Sequence, residues 1–439
     1  MMEVCVYGLG LSGFWASLAA ACGGFRVTVC DEGVSPSLRE RADQLDSMAP
    51  GGVRVVLGTL LRPDMFDIIV KSPGIPMRHP RIEEAVSAGV PVVDEVEFAA
   101  RFMPFELMRK GLFITGTNGK TTTCSMVSHV LRRAGFSVFT GGNFGVPLSR
   151  YVVEGESADF LVLELSSFQI EGLRSAVARG GAILNVDADH IDVHGSFGRY
   201  LAAKLKLAEH VADFCLVNAD DPNLRLPGAL GFSMKGRAFC FLKDGELFVD
   251  GRRCGSLEAL GRRVVLDAEN VLAAVGVCAL CGVDPSFALD SLRSFEFPRF
   301  RLEFVGEVMG RRFYNDSKAT NPHAVLRALR AFEGEQVVLV MGGSDKDMDF
   351  SVLLSLLRDR VKRLVLYGEA ARRIASQLDG FDAVLVWDFG DAFKAAFDAS
   401  SPGDVVLLSP GCASFDQFSS YVERGEAFNR LVEGLRCGG

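Results

Sequence analysis

The sequence predicts an α/β protein of three domains with largely parallel sheets. The chain has 439 residues, and at about 150 residues a domain this length corresponds to roughly three domains. Short apolar runs typical of buried strands alternate with helical runs along almost the whole chain, which is the order that produces parallel sheets. Glycine-rich or polar loops follow several of these strands, where ligands bind in such folds.

Composition argues against disordered, fibrous and disulfide-rich classes. Hydrophobic residues make up 49% and charged residues 23%, and the net charge is -8, which disfavours a nucleic-acid-binding surface. The 11 cysteines are too few for a disulfide scaffold of this length and are odd in number, so we expect reduced thiols and a cytoplasmic location. The pair Cys278 and Cys281 lies in an apolar run without a second such pair, and we expect no zinc site there.

The uncharged stretch from Val4 to Phe25 is typical neither of a signal peptide nor of a membrane span. The only charged residue before it is Glu3, whereas a signal peptide begins with basic residues. Three glycines interrupt it, and no other segment approaches the ~20 apolar residues of a membrane helix. We therefore expect no membrane association.

The first predicted domain covers residues 1–95. Strands are predicted at Val4–Tyr7, Arg26–Cys30, Val53–Leu57, Ile68–Lys71 and Val92–Val93, with a helix at Phe14–Cys22. Gly8-x-Gly10-x-x-Gly13 follows the first strand and Asp31 ends the second, a pattern typical of dinucleotide-binding turns. It indicates that a diphosphate can rest on the helix N-terminus, but it does not identify the nucleotide.

The second predicted domain, residues 96–296, opens with a phosphate-binding loop. The strand Leu112–Thr115 leads into Gly116-Thr117-Asn118-Gly119-Lys120-Thr121-Thr122 and then a helix to Ala134. Glycines allow backbone N–H groups to surround phosphate oxygens, Lys120 places a cation on the terminal phosphates, and the Thr121 hydroxyl can ligate Mg²⁺. Gly116 precedes Lys120 by four residues, a spacing that differs from the eight-residue pattern and narrows the match to a subset of such loops.

Polar residues follow two further predicted strands of this domain. Glu164 ends the strand at Phe160–Leu163 and is placed to hold the Mg²⁺ shared with a triphosphate. Three acids and His190 cluster in residues 185–192, after a strand predicted at Ala182–Val186, and indicate a second cation site or a substrate contact. Lys204 and Lys206 lie in a helix predicted at Tyr200–Val211, where a spacing of two turns them to different sides. At most one therefore reaches the site.

The rest of this domain and the third one, residues 297–439, continue the α/β order. A hairpin is predicted at Phe239–Val249 with Asp244-Gly245 at its turn, and a helix at Leu272–Leu280. Further strands are predicted at Val337–Met341, Arg363–Tyr367, Ala383–Val386 and Val405–Leu408. Three loops rich in Ser, Thr and Lys, at 315–321, 342–346 and 409–414, indicate an anionic ligand.

Five motifs together resemble the Mur ligases, the ATP-dependent enzymes that add amino acids to peptidoglycan precursors. The matching runs are 116–122 (GTNGKTT), 164–169 (ELSSFQ), 185–192 (NVDADHID), 315–321 (NDSKATN) and 409–418 (SPGCASFDQF). The last two most resemble the members that add D-glutamate. The resemblance implies a Rossmann-like UDP-binding domain, a central P-loop ATPase α/β domain and a Rossmann-like C-terminal α/β domain.

The same resemblance implies the reaction and the site residues. ATP and Mg²⁺ would act with UDP-N-acetylmuramoyl-L-alanine and D-glutamate, through an acyl phosphate, in a cytoplasmic monomer. Implied ATP contacts are Gly116, Thr117, Asn118, Gly119, Lys120, Thr121, Thr122, Asn270, Arg301 and Asp316. Implied contacts to the UDP substrate are Leu11, Ser12, Asp31, Ser72, Gly74 and Asn143, and those to the amino acid are Lys318, Thr320, Lys346, Ser414, Phe415 and Tyr421. Implied metal-site residues are Thr121, Glu164, His190 and Lys204, with Lys204 carbamylated and with Lys120, His190 and Lys204 in catalysis.

Three positions depart from the family pattern on the adenine side. Glu269 and Phe300 stand where the family often has His, and Ala273 stands where a second Asn is expected. Other functions also stay open at this point. The glycine turn alone allows an NAD-dependent oxidoreductase, the phosphate loop allows a regulatory nucleotide-binding module, and a related ligase such as a folylpolyglutamate synthetase shares the strand-end acids but usually lacks a UDP domain.

Overall fold

The computed structural model describes residues 2–59, 62–155, 157–189, 191–260, 267–345, 347–378 and 380–437. The strands form sheets of five, nine and six strands, and helices lie between most of them, so the predicted α/β class with largely parallel sheets is confirmed. The chain divides into two compact units, the first ending at Phe295 and the second beginning at Glu296. The first unit contains the two N-terminal sheets, and the second unit contains the third sheet.

The first sheet is fully parallel and has the strand order β3-β2-β1-β4-β5. Its strands β1–β5 are Glu3–Tyr7, Arg26–Asp31, Val53–Leu57, Ile68–Lys71 and Val92–Asp94. Val4 and Val6 belong to one core and Cys5 and Tyr7 to another on the opposite face, because successive side chains of a strand alternate. Both faces are thus covered, which explains the continuous apolar character of the strands. The helices here are Leu11–Cys22, Pro36–Met48 and Pro80–Ser87.

A short helix, Glu95–Ala100, leads from the first sheet to the second. Its acids are buried and bonded to surrounding elements. Asp94 caps the helix by accepting from the Val96 N–H and lies 3.4 Å from the Lys71 ammonium, with both side chains fully buried. Glu97 accepts hydrogen bonds from the backbone N–H groups of Arg174, Ser175 and Ala176. These bonds tie the helix to the second sheet domain.

The second sheet has nine strands, β6–β14, in the order β14-β13-β12-β11-β10-β9-β6-β8-β7. They are Gly111–Thr115, Val138–Gly142, Phe160–Glu164, Ala178–Ile183, Val211–Asn218, Leu230–Ser233, Cys240–Lys243, Glu246–Val249 and Arg252–Ser256. The helices are Phe105–Met108, Lys120–Arg133, Leu148–Glu154, Ser167–Gly172, Ile191–His194, Phe197–Leu205, Ala268–Leu280 and Pro285–Ser291. The predicted hairpin is confirmed: Asp244 and Gly245 take positive φ angles of 52° and 76° between antiparallel β12 and β13.

The strand predicted at Ala182–Val186 is wrong by several residues, since β9 covers Ala178–Ile183. Glycines conceal its first half, because they are rare in strands. Gly180 is required there: a Cβ at this position would lie 2.2 Å from the Phe214 ring of the next strand. The buried residues after Ile183 form a loop instead, in which the Thr117 N–H donates to the Asn185 carbonyl and the Val186 N–H donates to Asp221.

The helix predicted at Tyr200–Val211 is also shorter than expected. It covers Phe197–Leu205, begins at the Ser196 side-chain cap, and passes into a 3₁₀ helix at Lys206–His210 before strand β10. Apolar periodicity continues through the 3₁₀ segment, so pattern alone gave no signal for its end. Of the two lysines, only Lys204 lies on the α-helix.

The second unit carries the six-stranded sheet β15–β20, in the order β15-β16-β20-β17-β18-β19. These strands are Glu303–Val308, Arg311–Asn315, Val337–Gly342, Val361–Tyr367, Ala383–Val386 and Val405–Gly411. Only β15 runs antiparallel to its neighbour. The helices of this unit are Pro322–Arg330, Leu354–Arg360, Ala371–Gln377, Phe389–Ala399 and Tyr421–Cys437. In addition to Lys206–His210, the two units contain short 3₁₀ helices at Pro63–Met65, Glu258–Leu260, Leu292–Ser294 and Ser351–Leu353. Within the described part of the chain, no helix combines the length and apolar character needed to span a membrane.

Candidate active site

The phosphate loop joins strand β6 to the helix Lys120–Arg133. Gly119 has a φ of 83°, in the left-handed region that favours glycine. Gly116 lies against the loop that follows β9, where a Cβ would sit 2.9 Å from Leu184. The Lys120 ammonium donates to the carbonyl oxygens of Gly116 and Thr117, at 2.7 and 2.9 Å. The loop therefore holds a cation directly at the N-terminus of a helix, where anions bind.

Glu164 lies beside this loop at the end of strand β8 and is 3% exposed. The Thr121 hydroxyl donates to one carboxylate oxygen at 2.7 Å, and the Asn143 amide donates to the other at 3.0 Å. Strand order explains the contact, because β6 and β8 are neighbours and their carboxyl ends meet at the same edge. The structure thus brings three predicted site residues into one hydrogen-bonded chain.

The loop after β9 forms the other wall of the phosphate loop. Asn185 bonds the Asn118 backbone twice, accepting from its N–H at 2.8 Å and donating to its carbonyl at 3.1 Å. The Thr117 hydroxyl accepts from the Asp187 N–H at 3.0 Å and lies 2.9 Å from the Tyr200 hydroxyl. Burial raises the pKa of Tyr200 far above its usual value. The predicted His190 lies outside the described residues.

Lys204 is 1% exposed and reaches the phosphate loop from the helix Phe197–Leu205. Its ammonium nitrogen donates to the Gly116 carbonyl at 2.9 Å and lies 4.8 Å from the centre of the Tyr200 ring. Burial, with a further contribution from the Lys120 charge, lowers the pKa of Lys204 well below its usual value. Lys206 points elsewhere, donating to the carbonyls of Glu171 and Leu173. One lysine of the pair therefore reaches the site, in agreement with the expectation that at most one does.

A cavity of about 520 Å³ opens at the glycine turn of the first sheet. Six residues of its lining were predicted from the sequence: Leu11, Ser12, Asp31, Ser72, Gly74 and Asn143. Gly8 has a φ of 97°, and a Cβ at Gly13 would lie 1.9 Å from the Gly8 carbonyl oxygen. Both glycines are therefore required. The first residues of the helix Leu11–Cys22, Leu11 and Ser12, line the cavity, and no side chain caps this helix.

Asp31 organises this turn rather than projecting freely into the cavity. Its carboxylate accepts from the N–H groups of Leu9 and Gly33, at 2.7 and 2.8 Å. The cavity is also lined by Tyr7, Glu32 and His79, which were not predicted as site residues from the sequence. The Tyr7 hydroxyl donates to Glu32, which lies 3.4 Å from His79. Only the position of Glu32, directly after Asp31, could have indicated this cluster.

Asn270 is buried on the helix Ala268–Leu280, which packs against the phosphate-loop helix. The Thr123 hydroxyl donates to its amide oxygen at 3.4 Å, and its amide nitrogen donates to Asp267 at 2.9 Å. Ala273 is fully buried in the same helix. Thr122 is also buried, one residue before Thr123. Asn270 thus contacts the residue that directly follows the predicted ATP loop, 116–122.

The second unit gathers its own predicted residues. Asp316 accepts from the Leu302 N–H at 3.1 Å and from the Ser409 hydroxyl at 3.0 Å, so it holds the segment that contains Arg301. The neighbouring Phe300 adopts a φ of 62° and its ring occupies the space above Gly425, where a Cβ would lie 2.3 Å from it. Phe300, one of the three departures from the family pattern, therefore packs against the helix Tyr421–Cys437.

Four predicted amino-acid contacts lie on two loops of the same unit, and Tyr421 begins the helix Tyr421–Cys437. The Lys318 ammonium lies 3.8 Å from the centre of the Tyr421 ring, and Thr320 is partly buried nearby in sequence. Ser414 is 2% exposed, whereas Phe415 is 72% exposed. Lys346 lies outside the described residues.

Comparison with models of known protein families gives three matches along the chain. They are the "Mur ligase MurD-like, N-terminal domain" over residues 2–94, the "Mur ligase middle domain" over 114–238, and the "Mur ligase, glutamate ligase domain" over 300–412. A curated protein of Syntrophus aciditrophicus is 36% identical over 98% of this chain and 97% of its own length. The chain belongs to the Mur ligase family. A second relative of this Mur ligase, from Trichlorobacter lovleyi, is 38% identical over 98% of both chains.

Both relatives carry the name UDP-N-acetylmuramoylalanine--D-glutamate ligase. Solved structures share the fold of this Mur ligase at low identity. The UDP-N-acetylmuramate-alanine ligase of Thermotoga maritima is 20% identical over the whole of both chains, with a TM-score of 0.62. A pseudomurein peptide ligase type C of Methanothermus fervidus is 17% identical over 99% of this chain and 100% of its own, with a TM-score of 0.63. The three-domain Mur ligase fold expected from the sequence is therefore confirmed.

Proposed function

We propose that this Mur ligase joins D-glutamate to the carboxylate of UDP-N-acetylmuramoyl-L-alanine through an amide bond, while ATP is converted to ADP and phosphate. The chain is a ligase by family, and its relatives bear the name of this reaction over nearly their full lengths. The observation that carries the proposal is the phosphate loop, in which Lys120 donates to the Gly116 carbonyl and Thr121 donates to the buried Glu164. Neither a regulatory module nor an oxidoreductase accounts for this arrangement together with the relatives.

The first chemical step brings two anions together. The substrate carboxylate attacks the γ-phosphorus of ATP in line, which forms an acyl phosphate and releases ADP. Lys120 reduces the repulsion between carboxylate and triphosphate, and the loop N–H groups hold the phosphates. The D-glutamate amine then attacks the acyl carbon, phosphate leaves, and the amine loses its proton. Water must be kept from the acyl phosphate throughout this sequence.

The residues beside the loop fit Mg²⁺. Thr121 and Glu164 offer the hard oxygen ligands this ion prefers, and Mg²⁺ in phosphate sites is bound by one or two carboxylates together with the substrate. In the described residues no three His, Cys, Asp or Glu side chains form a metal-binding group, which agrees with a site completed by phosphate oxygens. The ion would supply charge neutralisation at the transferring phosphoryl group. We propose that Thr121, Glu164 and His190 bind this ion.

Lys204 is proposed to carry a carbamate. Burial beside the Lys120 charge favours the neutral amine of Lys204. This amine can add CO₂, with loss of one proton, to give a carboxylate on a long arm. Such a carboxylate would face Lys120, and we propose that it completes a second Mg²⁺ site and takes part in catalysis together with Lys120 and His190.

The remaining assignments follow the same family pattern. We propose that the cavity of the first sheet holds the UDP moiety through Leu11, Ser12, Asp31, Ser72, Gly74 and Asn143. Asn270, Arg301 and Asp316 are proposed as ATP contacts, in addition to Gly116, Thr117, Asn118, Gly119 and Thr122. Lys318, Thr320, Lys346, Ser414, Phe415 and Tyr421 are proposed to bind D-glutamate.

The working form of the protein is also a proposal. We propose a monomer that acts in the cytoplasm, consistent with the ten cysteines described as free thiols. Domain borders are proposed after residues 95 and 296.

Phosphate release from ATP tests the function. The purified chain is assayed with ATP and Mg²⁺, with each of the other two substrates omitted in turn and with L-glutamate as the stereochemical control. We expect release only when UDP-N-acetylmuramoyl-L-alanine and D-glutamate are both present. Release that is independent of them would contradict the ligase assignment, and equal rates with other amino acids would contradict the D-glutamate assignment.

A further inference from the structure

Arg424, on the helix Tyr421–Cys437, is fully buried in the second unit. Its guanidinium donates to the Ser317 hydroxyl at 3.0 Å and to the Ser317 carbonyl at 2.8 Å. It also donates to the carbonyls of Cys412 and Ala413, at 3.1 and 3.0 Å. Arg424 therefore links two loops that lie almost a hundred residues apart in sequence.

These two loops carry the proposed amino-acid contacts. Ser317 directly precedes Lys318, and Ala413 directly precedes Ser414. The Ser317 hydroxyl also donates to the Tyr421 carbonyl at 2.8 Å, so a third proposed contact residue is held by the same bonds. Since Arg424 has no exposed surface, it cannot touch a substrate itself and can act only through these neighbours.

The guanidinium also fixes which way the second loop faces. The chain has no cis peptide bonds in the described residues, and the C=O and N–H of a trans peptide point in opposite directions. With the Cys412 and Ala413 carbonyls turned toward Arg424, the N–H groups of Ala413 and Ser414 point away from it. Ala413 also pairs with Ser344 in an antiparallel bridge, in which the Ser344 N–H donates to the Ala413 carbonyl at 3.0 Å.

The charge of Arg424 is balanced mainly by neutral oxygens. Among the residues that the structure describes, no carboxylate lies within ion-pair distance of its guanidinium. The Tyr367 hydroxyl lies 3.4 Å away, and burial raises the pKa of Tyr367 to about 12, so this group stays neutral. A buried cation is costly unless it is fully hydrogen-bonded, so the guanidinium and the loop oxygens around it hold one another in place.

We propose that Arg424 is a positioning residue for the amino-acid pocket, one that fixes the Ser317–Lys318 and Cys412–Ser414 segments. This inference rests on the proposed function, because it takes D-glutamate as the ligand of these loops. Without the guanidinium, the buried Ser317 and Cys412 carbonyls lose their donors, and the direct link between these two segments is lost. Affinity for the amino acid then falls, whereas the UDP cavity in the first unit is untouched.

Steady-state kinetics of Arg424→Lys test the proposal, with the KM of each substrate measured separately. Lysine keeps the charge but has no planar fork to span both loops. We expect the KM for D-glutamate to rise about tenfold or more, with the KM for UDP-N-acetylmuramoyl-L-alanine within about twofold of wild type. Arg424→Ala should show a larger rise, which added guanidinium ion at millimolar concentration partly reverses and urea at the same concentration does not.

Ser317→Ala is the second variant, since it removes one acceptor of Arg424 and leaves the guanidinium in place. It should fold and raise the KM for D-glutamate by a smaller factor, which keeps the test decisive where Arg424→Ala does not fold. An unchanged KM for D-glutamate in folded Arg424→Lys overturns the proposal, as does an equal rise in the KM of both substrates. Wild-type protein that forms no ADP with D-glutamate instead refutes the proposed function.

Discussion

Replacing Glu95 by Gln should stabilise the first unit at pH 8 and change it little at pH 5. Glu95 is 1% exposed, accepts from the Ser149 N–H at 2.5 Å, and has one carboxylate oxygen without a hydrogen-bond partner. Burial, above all, raises the pKa of Glu95 from 4.5 to about 7. Because the folded state binds the proton more tightly than the unfolded state, stability is highest at acid pH and falls as the pH rises between these two values.

The size of the effect follows from this pKa. At 1.36 kcal/mol for each pH unit, the difference between the folded and unfolded pKa of Glu95 lowers the free energy of unfolding by about 3 kcal/mol at pH 8 and by less than about 1 kcal/mol at pH 5. In Glu95→Gln the new amide keeps an acceptor for Ser149 and cannot ionise. The variant should therefore gain most of that difference at pH 8.

Tryptophan fluorescence can follow the unfolding of this region. Trp15 lies in the helix Leu11–Cys22, and the Arg150 guanidinium sits 5.2 Å from its ring centre, next to Ser149. The only other tryptophan, Trp387, is 64% exposed in the second unit, and Trp387→Phe removes its signal. Urea unfolding in that background at pH 5 and pH 8 gives the two free energies.

Glu97→Gln is the matched control, two residues along the same helix. Burial of Glu97 alone would raise its pKa, but the hydrogen bonds from Ser175, Ala176 and Arg174 outweigh it and hold the pKa below the usual value. This variant should destabilise the protein by about 1–3 kcal/mol, because it loses acceptors for buried N–H groups. An equal effect of Glu95→Gln at both pH values, or a loss of stability at pH 8, would refute the reasoning.

Three further variants address the active site. Lys120→Ala should remain folded, as measured by circular dichroism, and its rate of ADP formation should fall at least about a hundredfold, because the cation that contacts the triphosphate is removed. Wild-type turnover would contradict the assignment of the phosphate loop. Lys204→Met should lose activity by a similar factor, whereas Lys206→Met should keep most of it. Wild-type enzyme depleted of CO₂ should regain activity when bicarbonate is added. Full activity of Lys204→Met would contradict the proposed carbamate. Glu164→Gln should raise the Mg²⁺ concentration for half-maximal rate by about tenfold or more, measured by Mg²⁺ titration, and an unchanged titration would remove Glu164 from the proposed metal site.

Much of this architecture was predictable because short-range chemistry determines it. The phosphate loop needs glycines and a lysine at fixed spacing, and the parallel order of strands brings Glu164 to the same edge. Where glycines serve packing, the pattern fails. Strand β9 contains Gly180 and Gly181, and glycine has a low propensity for strands.

Contacts between distant segments were not predictable. Arg424 lies in an ordinary charged helix by sequence, and only the fold shows that it reaches the carbonyls of Ser317 and Cys412. The same holds for Glu95 and Glu97, whose charges suggest solvent exposure although both are buried. Burial of a charge depends on partners that one sequence does not reveal.

The fate of the substrate carboxylate oxygens tests the central claim most directly. UDP-N-acetylmuramoyl-L-alanine labelled with oxygen-18 in its carboxylate is converted with ATP and D-glutamate, and the released phosphate is analysed by mass spectrometry. Attack of the carboxylate on the γ-phosphate predicts that one labelled oxygen appears in each phosphate, with ADP as the other product. Unlabelled phosphate alongside amide product, or label found in AMP, would contradict an acyl phosphate formed on the Lys120 loop.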